Sequence, residues 1–302
     1  MPLSFADRTR KTVLSKRLRR FFDLNTDLGQ AQDAEFFANP DNSLLRLVST
    51  VNIPCCVHDG EPDAVMRAIE LAKSYNCSVA AHIGYPDPLH QGYQSMANMS
   101  PQALSAWILL QVGAMQAMLK TFDLPLEVVR PHGALYWDMA TQPHVAKTVA
   151  QTLARLDRWL FLVAPVCPQL QQLSEQEGIR IAPEAVLGKR YRSDGLPMLM
   201  KDAAFSDLDA DLPPAATLEQ AKQLLRNNQL TSYDGQSIAA NAQTLHISPR
   251  MKSAVGIAER VVAMLGQPIP LSAAAVGTSG WLDNTEPAEE TRPWLCGVDT
   301  YL

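Results

Sequence analysis

Apolar and polar positions along this chain follow two periods in turn, two residues and then 3.6, so that strand-like and helix-like segments alternate. Residues 21–27 read with period two: Asp23, Asn25 and Asp27 fall on one face, and Phe22 and Leu24 on the other. Six further strands are predicted at 48–55, 78–82, 126–130, 159–163, 179–182 and 243–247. Val65, Met66, Ile69 and Ala72 form one apolar stripe, which predicts a helix opening near Pro62. Leu104, Trp107, Ile108, Met115 and Leu119 do the same for a long helix that Ser100 caps and Pro101 begins. That Met and Trp stripe is read as core. Helices are also expected near 143–155 and 168–177, the second closed by Gly178. Thr217 and Gln220 read as the capping box of the next helix, and Ser248 with Pro249 as the start of the last, which ends near Gly266.

Seven strands joined by helical crossovers imply a parallel sheet. Polar clusters sit where the strands end: DLNTDLGQ (23–30), NIPCCVHDGEP (52–62), AHIGYPD (81–87), RPHGALY (130–136), the lone Glu184, and His246. A β/α barrel collects residues from many strand ends at its carboxyl edge, so the pattern favours an α/β fold closed into a seven-stranded parallel barrel, with the site at its mouth. The expected organisation is a basic extension at 1–20, a catalytic barrel at 21–266 and a C-terminal tail at 267–302. The stretch 184–216 is long for an irregular segment and is read as a lid or another functional loop. No GxGxxG follows a strand and no GxxxxGK[ST] occurs, which removes the usual dinucleotide and P-loop fingerprints.

With 302 residues, 47% of them hydrophobic, the chain can build one large core. Its formal charge of -5 is uneven. Residues 1–22 hold seven Lys or Arg against one Asp, and the remainder holds 19 basic against 30 acidic residues. The acidic body offers nucleic acid no basic face, and the basic segment reads as a solvated extension. No run of roughly 18 apolar residues suggests a membrane span. Five cysteines, two of them adjacent at 55 and 56, make neither an even framework nor a CxxC pair; reduced thiols in a cytoplasm are expected. Cys55 or Cys56 as a nucleophile stays open because His58 follows, with buried cysteine as the alternative.

The strand-end clusters hold groups able to activate water and to move protons. Asp23 and Asp27 are candidate bases or metal ligands. His58, His82 and His132 arrive from three strand ends and could supply general acid and base or metal nitrogens, so a divalent metal on Asp27, His58, His82 and His132 is one candidate arrangement. Asn25, Tyr85, Asp87, Tyr136 and Glu184 are candidate substrate contacts. Gly84 and Gly133 would let the backbone approach closely. Each has a structural alternative: a strand-end histidine can simply be hydrogen-bonded, and Asp27 can stabilise a turn. His246 is weighed as a substitute histidine, and His90 and His144 are expected to face solvent.

Together DLNTDLGQ, NIPCCVHDGEPDAVMRAIELA, AHIGYPD and RPHGALY resemble the LamB/YcsF family, over about residues 22–265. The resemblance implies a distorted seven-stranded barrel related to the glycoside hydrolase and polysaccharide deacetylase barrels. It also implies a 5-oxoprolinase A-type subunit that cleaves 5-oxoproline, a small-molecule lactam, to glutamate with ATP and separate B and C subunits. The alternatives are a stand-alone metal-dependent deacetylase or amidohydrolase, and a degenerate member without catalysis. Departures from the family's approximate pattern (DLNCDLGE, NIACGFHAGDP, AHPGYPD, KPHGALY, CVHGD) include Thr26, Gln30, Cys56, Val57, Asp59, Ile83, Arg130, Ser248 and Arg250, and Gly188 where Asp is usual. Arg250, expected in the first turn of the last helix, is a candidate for a carboxylate or phosphate.

Overall fold

The computed structural model describes residues 22–30, 44–198 and 211–273. The expected extension at 1–20, the 199–210 part of the expected lid and the tail beyond 273 lie outside the described residues. The strands are β1 (Asp23–Asp27), β2 (Thr50–Pro54), β3 (Ser78–Ile83), β4 (Val128–Pro131), β5 (Phe161–Pro165), β6 (Arg180–Val186), β7 (Gln229–Thr231), β8 (Ser237–Ala239) and β9 (Thr244–His246). Seven of them close into a parallel barrel in the order β1, β2, β3, β4, β5, β6, β9, with β9 returning to β1. The other two, β7 and β8, make a separate antiparallel pair. The helices are α1 (Pro62–Ser74), α2 (Pro101–Lys120), α3 (Gly133–Thr141), α4 (Pro143–Leu156), α5 (Pro168–Glu177), α6 (Pro214–Asn227) and α7 (Ala254–Leu265).

Strand alternation sorts side chains into two cores. Leu24, Val51, Ile53, Val79, Ala81, Ile83, Val129, Leu162, Ala185 and Leu245 belong to the main hydrophobic cluster, which they share with the buried helix faces. The other parity meets inside the barrel. There Ala80, Val128, Phe161, Val163 and Ala182 form a small apolar cluster with Leu271. Leu271 and the hydrogen bond from Ile269 N to Phe22 O (3.1 Å) attach residues 267–273 to the barrel. On β3, β4 and β6 the inward polar residues His82, Arg130 and Glu184 follow the apolar ones, whereas β1, β2 and β9 begin with the polar residues Asp23, Thr50 and Thr244.

Several expectations need correction. The last helix begins at Ala254, not at Ser248; Ser248 Oγ accepts from Arg250 N (3.3 Å) in a preceding turn, and Arg250 is therefore outside the helix. Thr217 and Gln220 are not a capping box, because Pro214 already starts α6. Gln220 instead bonds the backbone at Gly188 N (2.9 Å) and Lys189 O (2.7 Å). β6 continues past Pro183, whose carbonyl accepts from Gln243 N (2.8 Å), so Glu184 is a mid-strand residue. Helix α3 and the β7–β8 pair have no counterpart among the predicted elements. Helix α2 has 20 residues and, by length and composition only, is long and apolar enough to cross a membrane, although its Gln, Ser and Lys residues interrupt any continuous apolar run. Here Leu104, Ile108, Val112, Met115 and Leu119 of α2 are buried in the main hydrophobic cluster.

Candidate functional site

Inside the barrel, period-two alternation brings Asp23, Asn25, Thr50, Asn52, Arg130, Glu184, Thr244 and His246 into one hydrogen-bonded layer. Arg130 holds Glu184 bidentately, through Nε to Oε1 (2.8 Å) and Nη2 to Oε2 (2.7 Å). Burial works to raise the Glu184 carboxyl, but the Arg130 guanidinium outweighs it and the carboxyl ends lowered. Tyr136 lies under the same guanidinium, 5.3 Å from ring centroid to Cζ. Asp23 sits deepest, accepting from Ser49 (2.7 Å), Thr50 (2.6 Å) and Thr244 hydroxyls; burial raises its carboxyl above the ordinary range.

Asn25 reads the charges around it. Its Nδ2 donates to Glu184 Oε1 (3.0 Å) and to Thr244 Oγ1 (2.7 Å), whose own proton goes to Asp23. Its Oδ1 therefore accepts, from Asn52 Nδ2 (2.8 Å) and His246 Nδ1 (2.8 Å). With its Nδ1 proton committed, a neutral His246 presents a lone pair at Nε2, 3.7 Å from Asp27 Oδ2.

Asp27, at the end of β1, is the charge at the centre of the mouth. His82 Nε2, His246 Nε2 and Arg130 Nη1 each lie 3.7 Å from its carboxylate, and Asn52 Nδ2 donates to Oδ1 at 3.0 Å. Burial would raise its carboxyl, yet His246, His82 and Arg130 together hold it far below the usual carboxylate range. Burial pushes His58 and His82 well below the ordinary imidazole range and His132 down to about 3, so all three are neutral near pH 7.

The three histidines form one cluster. His58 stacks on His132 (centroids 4.3 Å, 11°), and His82 meets His132 edge to face (4.7 Å, 81°). One ligand nitrogen from each lies within 4.8 Å of the others, so the trio could hold a metal. Glycines make the room: a Cβ on Gly84 would lie 2.6 Å from His58 Nδ1, and one on Gly92 3.0 Å from His132 Cδ2. Gln111 fixes the first of these by bonding both Gly84 N (2.8 Å) and Gly84 O (2.9 Å).

Other predicted residues stand apart. The Tyr85 hydroxyl donates to Asp138 (2.9 Å), and Asp87 organises the following turn by accepting from His90 N (3.3 Å), His90 Nδ1 (2.7 Å) and Gln94 N (3.1 Å). His144 is exposed and donates to Ala97 O (2.8 Å). Cys55 is buried with its thiol pushed up by that burial, which argues against it as a nucleophile; Cys56 is exposed. Arg250 contacts the Gln30 side chain, bridging the turn after β9 and the end of the first motif. Asn52, Tyr93 and Gln111 are absent from the residues picked out by sequence. Asn52 had a signal, since it shares inward parity with Thr50 on a strand. Tyr93 had none: it is reached through the loop fold, stands edge-on to His132 (4.9 Å), and feels the charges of Asp27, Arg250, Arg130 and Asp59.

Residues 22–273 match the LamB/YcsF family model. A Thermus thermophilus protein named as the A subunit of 5-oxoprolinase is 32% identical over 247 residues, covering 81% of this chain and 96% of its own. One of the same name from Bacillus thuringiensis is 30% identical over 241 residues, covering 79% and 92%. Among solved structures, a lactam utilization protein from Thermus thermophilus superposes with a TM-score of 0.72 at 28% identity, covering 83% of this chain and 99% of that one.

Proposed function

The chain belongs to the LamB/YcsF family, and from that membership we propose that it is the A-type subunit of a 5-oxoprolinase. In this reading it opens the lactam of 5-oxoproline to glutamate, consumes ATP and works with separate B and C subunits. The relatives carrying that name, at about 30% identity over most of the chain, support it. The observation that carries it is the mouth itself: an ionised Asp27 ringed at 3.7 Å by His82, His246 and Arg130.

An amide carbonyl is a weak electrophile, so ring opening requires activation of the carbonyl oxygen or of water, and a proton for the departing nitrogen. Neutral imidazoles beside a carboxylate suit the transfer: a ring nitrogen takes the water's proton as the water oxygen adds to the activated lactam carbonyl carbon, Asp27 stabilises the imidazolium so formed, and the proton passes to the substrate's ring nitrogen as the C–N bond breaks. Arg250, Gln30 and Tyr93 at the rim suit the substrate's own carboxylate. Asn25 and Glu184 act from below by setting the orientation of His246 and Arg130.

The test is glutamate and ADP production from 5-oxoproline and ATP, with and without the cognate B and C subunits. Glutamate formed by the complete set supports the reading; none from the complete set overturns it. The second reading, a stand-alone metal-dependent amidohydrolase, has the histidine cluster in its favour and predicts turnover without ATP or partners.

A further inference from the structure

Proton accounting at the mouth leaves acceptors facing acceptors. His82 Nδ1 lies 3.0 Å from Arg130 O, and a carbonyl can only accept, so that nitrogen carries the proton. His132 Nε2 lies 2.9 Å from Gln91 O, which fixes its proton in the same way. In the neutral rings the lone pairs left over are His82 Nε2 and His132 Nδ1, and these two atoms are 2.9 Å apart. Nothing donates between them.

The same imbalance extends outward. His82 Nε2 faces Asp27 Oδ1, and the lone pair of His246 Nε2 faces Asp27 Oδ2, both at 3.7 Å. His58 is buried against the other two rings, and among the described residues neither of its nitrogens has a hydrogen-bond partner. A buried polar group without a partner forfeits the hydrogen bonds it made to water, and here two such atoms sit on one ring beside an uncompensated lone-pair contact. Arg130, bidentate on Glu184, is shared with Asp27 at 3.7 Å, so one guanidinium faces two buried carboxylates.

From this geometry we propose that His58, His82 and His132 bind one divalent transition-metal ion, with Asp27 supplying the compensating negative charge. Carbonyl oxygens that hold the far ring N–H groups are the usual second layer around metal-binding histidines, and two of the three rings have them. Nitrogen donors select Zn²⁺, Co²⁺, Fe²⁺ or Ni²⁺ over Mg²⁺ and Ca²⁺, which demand oxygen. Metal–nitrogen distances of about 2.0–2.1 Å require the three nitrogens to lie near one another, and a spread within 4.8 Å needs only small side-chain movement. A cation held there would supply Lewis acidity at the mouth. The inference concerns binding alone and does not depend on which amide is cleaved.

The test uses the full chain without substrate or partner subunits. The protein is stripped with a chelator, incubated with Co²⁺ or with Zn²⁺, dialysed, and its metal content measured by mass spectrometry; Co²⁺ samples are also scanned for visible d–d absorption. The expected result is one ion per chain, Co²⁺ bands characteristic of nitrogen ligands, and a raised thermal midpoint. His58→Ala removes a ring with no hydrogen bond to lose and should abolish all three effects, whereas His144→Ala should change none. Because the spectrum and stoichiometry are read on the unsubstituted chain, they decide the matter even if His58→Ala fails to fold. Absence of retained metal in the unsubstituted chain, or retention undiminished in a folded His58→Ala, overturns the proposal and leaves a proton shared between His82 and His132. Neither result bears on lactam turnover, which is measured separately.

Discussion

Arg130 and Glu184 form a bidentate ion pair inside the barrel, joining β4 to β6 across an intervening strand, with hydrogen bonds of 2.8 and 2.7 Å and side chains 8% and 0% exposed. Removing one member strands a buried charge. Glu184→Ala should therefore cost about 3–5 kcal/mol in urea unfolding, and replacing both residues with apolar ones should cost less than the single change. A loss under about 1 kcal/mol for Glu184→Ala would mean that water screens the pair.

His58 and Asp27 should separate when folding and turnover are measured together. His58→Asn should lower 5-oxoproline turnover strongly and, in the metal-free chain, leave the thermal midpoint nearly unchanged because its nitrogens bond nothing there. Asp27→Asn should lower both. The folded environment stabilises the ionised carboxylate, and an amide forfeits that contribution. A large drop in midpoint for His58→Asn would make the histidine structural.

Arg250 is expected to act on substrate affinity. Arg250→Ala should raise KM for 5-oxoproline by roughly 10–100-fold, the worth of one charge-assisted hydrogen bond, with the difference shrinking as salt rises. The midpoint should stay close to that of the unsubstituted chain. A KM that is unaltered from low to high salt removes Arg250 from the site.

Two glycines of similar backbone should respond differently to alanine. Gly178 has φ +66° and open space around it, so Gly178→Ala should cost about 1–2 kcal/mol, the left-handed penalty alone. Gly133 has φ +52° and a Cβ there would meet Gly92 O at 2.5 Å, which adds a backbone clash of about 1–3 kcal/mol. Equal losses by chemical denaturation would show that the loop at Gly92 yields freely.

Thiol labelling should follow burial. Cys56 is exposed and should react first with a disulfide reagent in the native protein. Cys55 and Cys77 are buried, and burial lifts the Cys77 thiol to about 12, so both should react only on unfolding. Native-state labelling of Cys77 at the rate of Cys56 would contradict the packing beneath β3.

The strand-and-helix order, the parallel barrel and the polar face of β1 are legible in the chain alone, because two-residue and 3.6-residue periods are local properties that burial enforces. The same pattern puts Asp27, His58, His82 and His132 at strand ends, and the barrel brings those ends together. Local signals failed where tertiary contacts intervened. Ser248 before Pro249 looks like a helix cap, but α7 starts at Ala254, past the turn carrying Arg250. Thr217 and Gln220 have capping-box spacing, but Gln220 serves the backbone at 188–189. Helix α3 leaves no stripe to detect because GALYWDMAT is apolar nearly all round. Which residues touch was likewise a matter of the closed barrel. Only its register sets Asn25 between Glu184, Thr244, Asn52 and His246, and only the fold of the loops lays His58 against His132, since no spacing along the chain encodes the direction in which a ring nitrogen presents its lone pair.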